Sequence, residues 1–422
     1  MMFDSSPRAI HLREKMIDFL ENHLYPAENV FEEQLRDQNG QRANPPVLED
    51  LKKVARDRGL WNLFLPHPEA GHEPMTNLDY APLAELSGRS LPLGPEAMNC
   101  SAPDTGNMEL LSLFGTPEQK ARWLRPLMDG EIRSAYAMTE PRVASSDASN
   151  IELSIVREGD EWVLNGRKWW ISGAARPRCE LFIVMGITDA APDAPRHRRH
   201  SMVLVPKDTP GVTIERDLSV LGYHTFESHA EITFTDVRVP VTNMLGEVGA
   251  GFAMSQARLG PGRIHHCMRM IGAAERALES MIDRVNKRAT FGTTLVDQGV
   301  VREWIADSRI EIDQARLYTL YTAHLMDTVG NTGAASQISG IKVAVPNVAY
   351  RVIERAMQAH GAAGLGPDFP LARMYAEAKI VRVADGPDEV HRRAVARTEL
   401  KRFASVTTPT PQGVAAHLVH QR

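Results

Sequence analysis

Apolar positions recur every three to four residues through the first part of the chain. Ile10, Ile17, Leu20 and Leu24 form one such stripe, and Ser6 followed by Pro7 supplies the cap and first-turn proline of its helix. Leu48, Leu51 and Val54 form a second, with Gly59 near its end. Thr116-Pro117-Glu118-Gln119 reads as a capping box opening a helix that stops near Gly130. After about residue 131 the period shortens. SIVREGDEWVLNGRKWWIS holds two β-type runs around a turn expected at Asn165-Gly166, and LFIVMGI, SMVLVP, VTIERDL and HAEITFTDVRVP continue the series. Short strands in such number predict a small β-barrel or sandwich, with APDAPRHRRH as a solvated basic loop. From Gly249 the helical period returns over 250–289, 298–329, 335–359 and 371–402, and a four-helix bundle is the natural solution. The expected order is an N-terminal all-α domain over 1–130, a β-domain over 131–245, a C-terminal four-helix bundle over 246–405 and a tail over 406–422.

Composition narrows the function. The 422 residues exceed one simple core, and 43% hydrophobic with 24% charged residues is the balance of a soluble globular protein. A net charge of -5 leaves no basic excess for nucleic acid or an anionic membrane. Cys100, Cys179 and Cys267 are far apart, which suits free thiols in a reducing interior and gives no metal-ligand spacing. The opening MMFDSSPRAI lacks the pattern of a secretory signal, and no apolar run approaches the roughly 20 residues of a membrane span. The expectation is a cytoplasmic protein (mitochondrial or peroxisomal matrix in a eukaryote) without a metal. No GxGxxG follows a strand, and P-loop, HExxH and nucleophile-elbow motifs are missing, so nicotinamide and nucleoside-triphosphate chemistry have no support.

Three segments stand out together: YAMTEPRVASSD (Tyr136 to Asp147), KWWISGA (Lys168 to Ala174) and ADGPDEVHR (Ala384 to Arg392). GFAMSQARLGPGR, RATFG and QAHGAAG accompany them in order. The set resembles the acyl-CoA dehydrogenase family from about residue 10 to 403. The resemblance implies that family's fold and FAD as cofactor. It places Tyr136, Met138 and Thr139 at the flavin's pyrimidine edge, Trp170 against the isoalloxazine and Ser172 near N5. Taken singly, a buried strand and an aromatic core pair are the ordinary readings of these residues. Ser146 and Asp147 would lie near the pantetheine or phosphate arm of CoA, with one residue more after Pro141 than the family pattern has. Arg288, Thr290 and Phe291 match the R-x-T-F-G segment that reaches a neighbouring subunit's FAD, where a guanidinium suits a pyrophosphate. Gln358 and Gly361 match the stretch on the partner's adenosine side, with Ala362 in place of a second glycine. Gln298 is one position from the family's usual glutamine.

Oxidising a saturated thioester needs a carboxylate at the α-carbon and a hydride acceptor at the β-carbon. Such a base is expected to have its pKa raised by burial. The resemblance implies Asp385 in this role, where the family usually has Glu; Gly262 occupies the alternative base position. Asp385 also reads as a cap for the helix after Gly386-Pro387, with Asp388 and Glu389 in its first turn. Arg263 matches an arginine near the CoA entrance. Gly262, His266 and Arg269 share a helical face. That face reads either as satisfied histidines at a subunit contact or as a polar pocket beside the substrate, its histidine protonating near neutral pH. The D-G-P-D-E-V-H version resembles a branch that in eukaryotes is sometimes fused to a kinase-like domain. It implies longer, branched or 4-hydroxylated acyl chains, and a 4-hydroxyl or its phosphate could sit beside His266.

The implied reaction is α,β-dehydrogenation of an acyl-CoA to the trans-2-enoyl-CoA in fatty acid β-oxidation. The flavin ribityl hydroxyl and the N–H at Asp385 would polarise the carbonyl, Asp385 would take the α-proton and FAD N5 the β-hydride. An electron-transfer flavoprotein would accept the electrons from a homodimer or homotetramer. Two rivals remain: an oxidase of a non-CoA substrate such as a nitroalkane, and a non-catalytic assembly member of the family.

Overall fold

The structure, a computed structural model, describes residues 3–36, 44–69, 71–189, 193–222 and 225–404. The tail expected over 406–422 and the first two residues of the basic loop lie outside the described residues. The N-terminal part is helical: α1 (Pro7–Phe19), α2 (Tyr25–Arg36), α3 (Pro46–Asp57), α4 (Asn77–Gly88), α5 (Leu93–Ala97), α6 (Asp104–Phe114), α7 (Pro117–Gln119) and α8 (Arg125–Met128). The caps lie where the sequence places them. Ser6 Oγ accepts the Ala9 N–H ahead of Pro7, and Thr116 and Gln119 close a reciprocal capping box. Gly130, at φ 69°, turns the chain out of the last helix.

Eight strands follow: β1 (Arg133–Ala137), β2 (Ser154–Glu158), β3 (Glu161–Ser172), β4 (Cys179–Ile187), β5 (His200–Pro206), β6 (Val212–Asp217), β7 (His229–Pro240) and β8 (Met244–Leu245). They form one sheet ordered β6-β7-β3-β2-β4-β5-β8, with β1 parallel to β4. Strand β4 is buried on both sides. Phe182 and Val184 enter the core of the sheet domain, whereas Leu181, Ile183 and Met185 join the larger core shared with the helices. The turn expected at Asn165-Gly166 is instead inside β3, and the β2–β3 hairpin turns at Gly159-Asp160. Gly166 sits at a register shift with φ 154°, and a Cβ there would stand 2.8 Å from Leu153 Cγ. Close approach, not a reverse turn, accounts for this glycine. In the basic loop, Arg196 pairs with Asp147 at 2.8 Å, but His200 is fully buried and its Nε2 donates to the Ile151 carbonyl at 3.0 Å, so solvation ends one residue short of it.

The remaining helices are α9 (Gly251–Lys287), α10 (Gly299–Gly333, broken at Gly330), α11 (Ala335–His360), α12 (Leu371–Val381) and α13 (Asp388–Ala404). A two-residue ladder, β9 (Ala289–Thr290) with β10 (Thr293–Thr294), joins α9 to α10. The fourth helical stretch expected over 371–402 is in two pieces. Pro387 disfavours helix at the residue before it, and Asp385 and Gly386 have φ of 55° and 101°. Helix α9 packs against α10 and α11 and also against α4 and α6. Buried Glu96 accepts from Arg133 of β1 and from Arg176, at 2.9 Å in the latter case, and so ties α5 to the sheet. Among the described residues no helix is long and apolar enough to cross a membrane.

Candidate active site

The segment after β1 is pinned by one buried lysine. Lys168 Nζ donates to the carbonyls of Met138 (2.8 Å) and Met185 (2.7 Å) and to Glu140 Oε1 (2.8 Å). The Glu140 carboxylate in turn accepts the N–H groups of Glu152 and Leu153, both at 2.8 Å. Trp169 N–H donates to the Thr139 carbonyl at 3.0 Å. Met138 and Thr139 are thereby held half-exposed beside β3. A register shift between Lys168 and Ile171 re-aims the next ring: Trp170 has φ 54° and is 41% exposed. His229 lies 5.7 Å from that ring, centre to centre, and its Nδ1 is 3.0 Å from Ser172 Oγ. An open indole face, two hydroxyls and a fixed backbone edge suit the planar, hydrogen-bonding ring system of a flavin. Tyr136 turns towards α9, its ring under the Arg258 guanidinium at 4.1 Å.

Asp385 stands in the loop between α12 and α13. Its carbonyl accepts from Arg263 Nε (3.1 Å) and lies 3.2 Å from His391 Nε2. Buried Lys342 of α11 donates to the carbonyls of Val381 and, at 3.4 Å, Gly386. These contacts hold the loop at a left-handed φ that costs an aspartate energy. The carboxylate itself is 18% exposed and accepts no hydrogen bond among the described residues; its near neighbour is His266 Nε2 at 3.7 Å. It therefore does not cap α13. Gly262 faces it, and a Cβ there would stand 3.4 Å from Asp385 Oδ2, in ordinary contact. Asp388 is buried and bound by Arg382 and Asn347, and Glu389 projects into solvent.

The electrostatics differ from the expected raised pKa. Burial pushes the Asp385 carboxyl up, but His266, Arg258, Lys342 and Arg263 outweigh it and hold it below its ordinary value. Burial, with Arg269 nearby, lowers His266 to about 4, so this ring is neutral at pH 7 and does not titrate there. Arg269 does not share its pocket in the expected way: it is buried, and its Nε donates to the His265 carbonyl at 3.1 Å. Sequence reasoning missed Arg258, Lys342, His391 and His229. Arg258 was visible as the residue one turn before Gly262, and Lys342 as a lone cation in the apolar run ISGIKVAV.

The other expected residues gather elsewhere. Arg288 is exposed where α9 ends, and Phe291-Gly292, with φ of 51° and 83°, form the turn of the β9–β10 ladder. Phe291 is 97% exposed, and Thr290 is paired in the ladder with Thr293. Gln298 Nε2 donates to Thr293 Oγ1 at 3.3 Å. Gln358 is exposed, and Gly361 (φ 65°) ends α11 beside Ser280 and Arg284 of α9, at the same end of the bundle. Gly262 and Arg288 are separated by 26 residues of one helix, about 39 Å of rise. Ser146 is exposed on the loop after Glu140, while its neighbour Asp147 pairs with Arg196.

Family models for the acyl-CoA dehydrogenase N-terminal, middle and C-terminal domains match residues 6–131, 135–237 and 249–400. The chain belongs to the acyl-CoA dehydrogenase family. It is 55% identical over 413 residues to the probable acyl-CoA dehydrogenase FadE2 of Mycobacterium tuberculosis, covering 97% of this chain and all of that one. It is 53% identical to mouse acyl-CoA dehydrogenase family member 10 over 96% of this chain but only 38% of the mouse protein. A solved structure from Mycobacterium abscessus, provisionally described as an acyl-CoA dehydrogenase, superposes with a TM-score of 0.90 at 50% identity, over 95% of this chain and all of that one. The chain is thus an acyl-CoA dehydrogenase-type, FAD-dependent oxidoreductase with the family's helical, β and helical order.

Proposed function

We propose that the protein oxidises an acyl-CoA between its α- and β-carbons to the trans-2-enoyl-CoA, with Asp385 as the base. The observation that carries this is a carboxylate held at φ 55° on a pinned loop, opposite Gly262, with no hydrogen bond of its own among the described residues. Bound FAD supplies the two-electron acceptor for the β-hydride. Met138, Thr139, Trp170 and Ser172, with Tyr136 behind them, would hold its ring system. Arg288, Thr290, Phe291, Gln298, Gln358 and Gly361 would hold the dinucleotide of a partner subunit, since about 39 Å of α9 separates Arg288 from Gly262.

Asp385 is ionised at neutral pH because cations surround it. Entry of an apolar acyl chain removes water and pushes the carboxyl back up, and the same cations favour negative charge developing on the thioester oxygen. Arg263 and Ser146 would serve the CoA side. Gly262 leaves room beside the base, and neutral His266 offers a hydrogen bond to a substituent, so a 4-hydroxyl or its phosphate is a candidate on the chain. A homodimer or homotetramer, an electron-transfer flavoprotein as acceptor, a place in β-oxidation and a cytoplasmic or matrix location complete the reading. Asp385→Asn should keep its FAD but lose anaerobic flavin reduction by acyl-CoA by roughly 10²–10⁴-fold. A fully active Asp385→Asn protein would place the base elsewhere.

A further inference from the structure

The face of α9 that meets Asp385 carries polar residues well past it. Arg258, Gly262, His265, His266 and Arg269 recur at helical spacing. At the near end, Arg258 Nε donates to Asn107 Oδ1 at 3.2 Å while its guanidinium covers Tyr136. At the far end, the His265 ring meets Tyr80 of α4 edge-on at 5.1 Å, with Phe64 behind it at 6.3 Å. Glu109 of α6, 2% exposed, closes the circle: it acts electrostatically on Tyr80 at one side and feels Arg258 at the other. Asp385, His266, His265, Tyr80, Glu109 and Arg258 therefore surround one region, in which each influences the next.

That region is poorly satisfied. Both ring nitrogens of His265 are buried without a hydrogen-bond partner. The Tyr80 hydroxyl has none beyond the Cys100 thiol beside it. Glu109 makes no hydrogen bond or ion pair among the described residues, and buried Arg269 makes no ion pair among them. Folded proteins leave few buried polar groups unpaired, and the His265 ring, the Tyr80 hydroxyl and the Glu109 carboxyl so close together mark a place where something else binds.

We infer that this cluster is a second subsite of the acyl pocket, and that it takes a hydroxyl carried on the distal half of the acyl chain. The inference rests on the acyl-CoA reading above. His265 and Arg269 stand three and seven residues past Gly262, about 4.5 and 10 Å of helix, and Tyr80 and Glu109 reach His265 from α4 and α6, so the group recognised lies several carbons beyond the reacting pair. Burial raises Glu109 to about 8 and pushes His265 well below its usual range, so both are neutral at pH 7. Each then offers a donor and an acceptor, as does Tyr80. An alcohol both donates and accepts and can pair with two of them, whereas a carboxylate only accepts.

The test is anaerobic flavin reduction of the holoenzyme by dodecanoyl-CoA, by its analogue hydroxylated at the penultimate carbon, and by the analogue hydroxylated at carbon four. The penultimate alcohol should be preferred over the plain chain by about tenfold in kcat/KM, mainly through KM. Tyr80→Phe and Glu109→Gln should each reduce that preference several-fold, a larger loss on the hydroxylated chain than on the plain one. A wild-type enzyme that reduces with the plain chain and shows no preference for the penultimate alcohol overturns the inference. So do variants that lose equally on both chains, which would mark the cluster as a site for internal water only. Failure of every acyl-CoA to reduce the flavin would instead overturn the proposed function, and the inference with it.

Discussion

A Lys168→Met substitution keeps the apolar stem of the side chain and removes its charged head. That head is fully buried and serves three acceptors at 2.7 to 2.8 Å, the carbonyls of Met138 and Met185 and the Glu140 carboxylate. Removing one partner of a buried ion pair costs about 3–5 kcal/mol, because the other charge is stranded. Glu140 keeps the N–H groups of Glu152 and Leu153, so the low end applies, about 3 kcal/mol. For a unit of the sheet domain's size this corresponds to a Tm lower by roughly 10–15 °C. FAD should also be lost more readily, since Met138 and Thr139 lose their anchor. Adding Glu140→Gln removes the stranded charge and should recover part of the stability, about 1–2 kcal/mol. The pH dependence has a definite sign. Burial lowers Lys168 from 10.5 to about 8, with Glu140 only partly opposing it. Between these values the unfolded chain binds the extra proton, so this group's contribution to stability rises with pH across the window. Lys52 is lowered to about 8 as well, so the variant should lose one share of the slope and not all of it. Thermal melts from pH 7 to 10, with flavin absorbance after gel filtration, measure both effects. Unchanged FAD retention, an unchanged slope, or a double variant no more stable than the single one would refute the reasoning.

Arg288→Ala should weaken FAD retention by roughly 1.5–3 kcal/mol, the worth of hydrogen bonds to a charged group, measured by flavin release on dilution. His266→Ala should cut kcat/KM on a 4-substituted acyl-CoA more than on the plain chain; equal losses would leave His266 a packing residue. Because burial holds His266 and His391 at about 4, kcat/KM should show no histidine transition between pH 5.5 and 7.5. A transition there that disappears in His266→Ala would contradict the assigned neutral ring.

The helical, β and helical order was legible because the hydrophobic period changes twice, near residues 131 and 249. The caps at Ser6 and Thr116 were legible because capping is local. Asn165-Gly166 misled for the same reason: it is a strong turn pair, but Leu153, just ahead of β2, decided what its glycine does. Asp385 could be picked out within its segment, yet its ionisation could not. The groups that lower it come from α9 and α11, and only the folded chain brings them together. That Gly262 and His266 share one helical face could be read from their spacing. The path of Arg269 could not, because α4 packs over that part of α9.

The separation along α9 gives a sharper test of assembly than size alone. If each flavin lies between Trp170 and Asp385 of one chain and Arg288 and Phe291 of another, no single chain holds a complete site. Asp385→Asn chains lack the base, and Arg288→Ala chains lack a pyrophosphate contact for their neighbour. In a mixed two-fold dimer one site collects both defects and the other collects neither. Random mixing makes half the dimers mixed, so about a quarter of all sites should be intact. Co-expressed chains, purified through two different tags to select the mixed dimer, should therefore regain FAD retention and acyl-CoA-dependent bleaching at one site of the two. If each chain built its site alone, the Asp385→Asn site would stay inactive and the Arg288→Ala site would stay weak in FAD. The mixed dimer would then show only the mean of its parents, and the assignment of Arg288 and Phe291 to a partner's cofactor would fall.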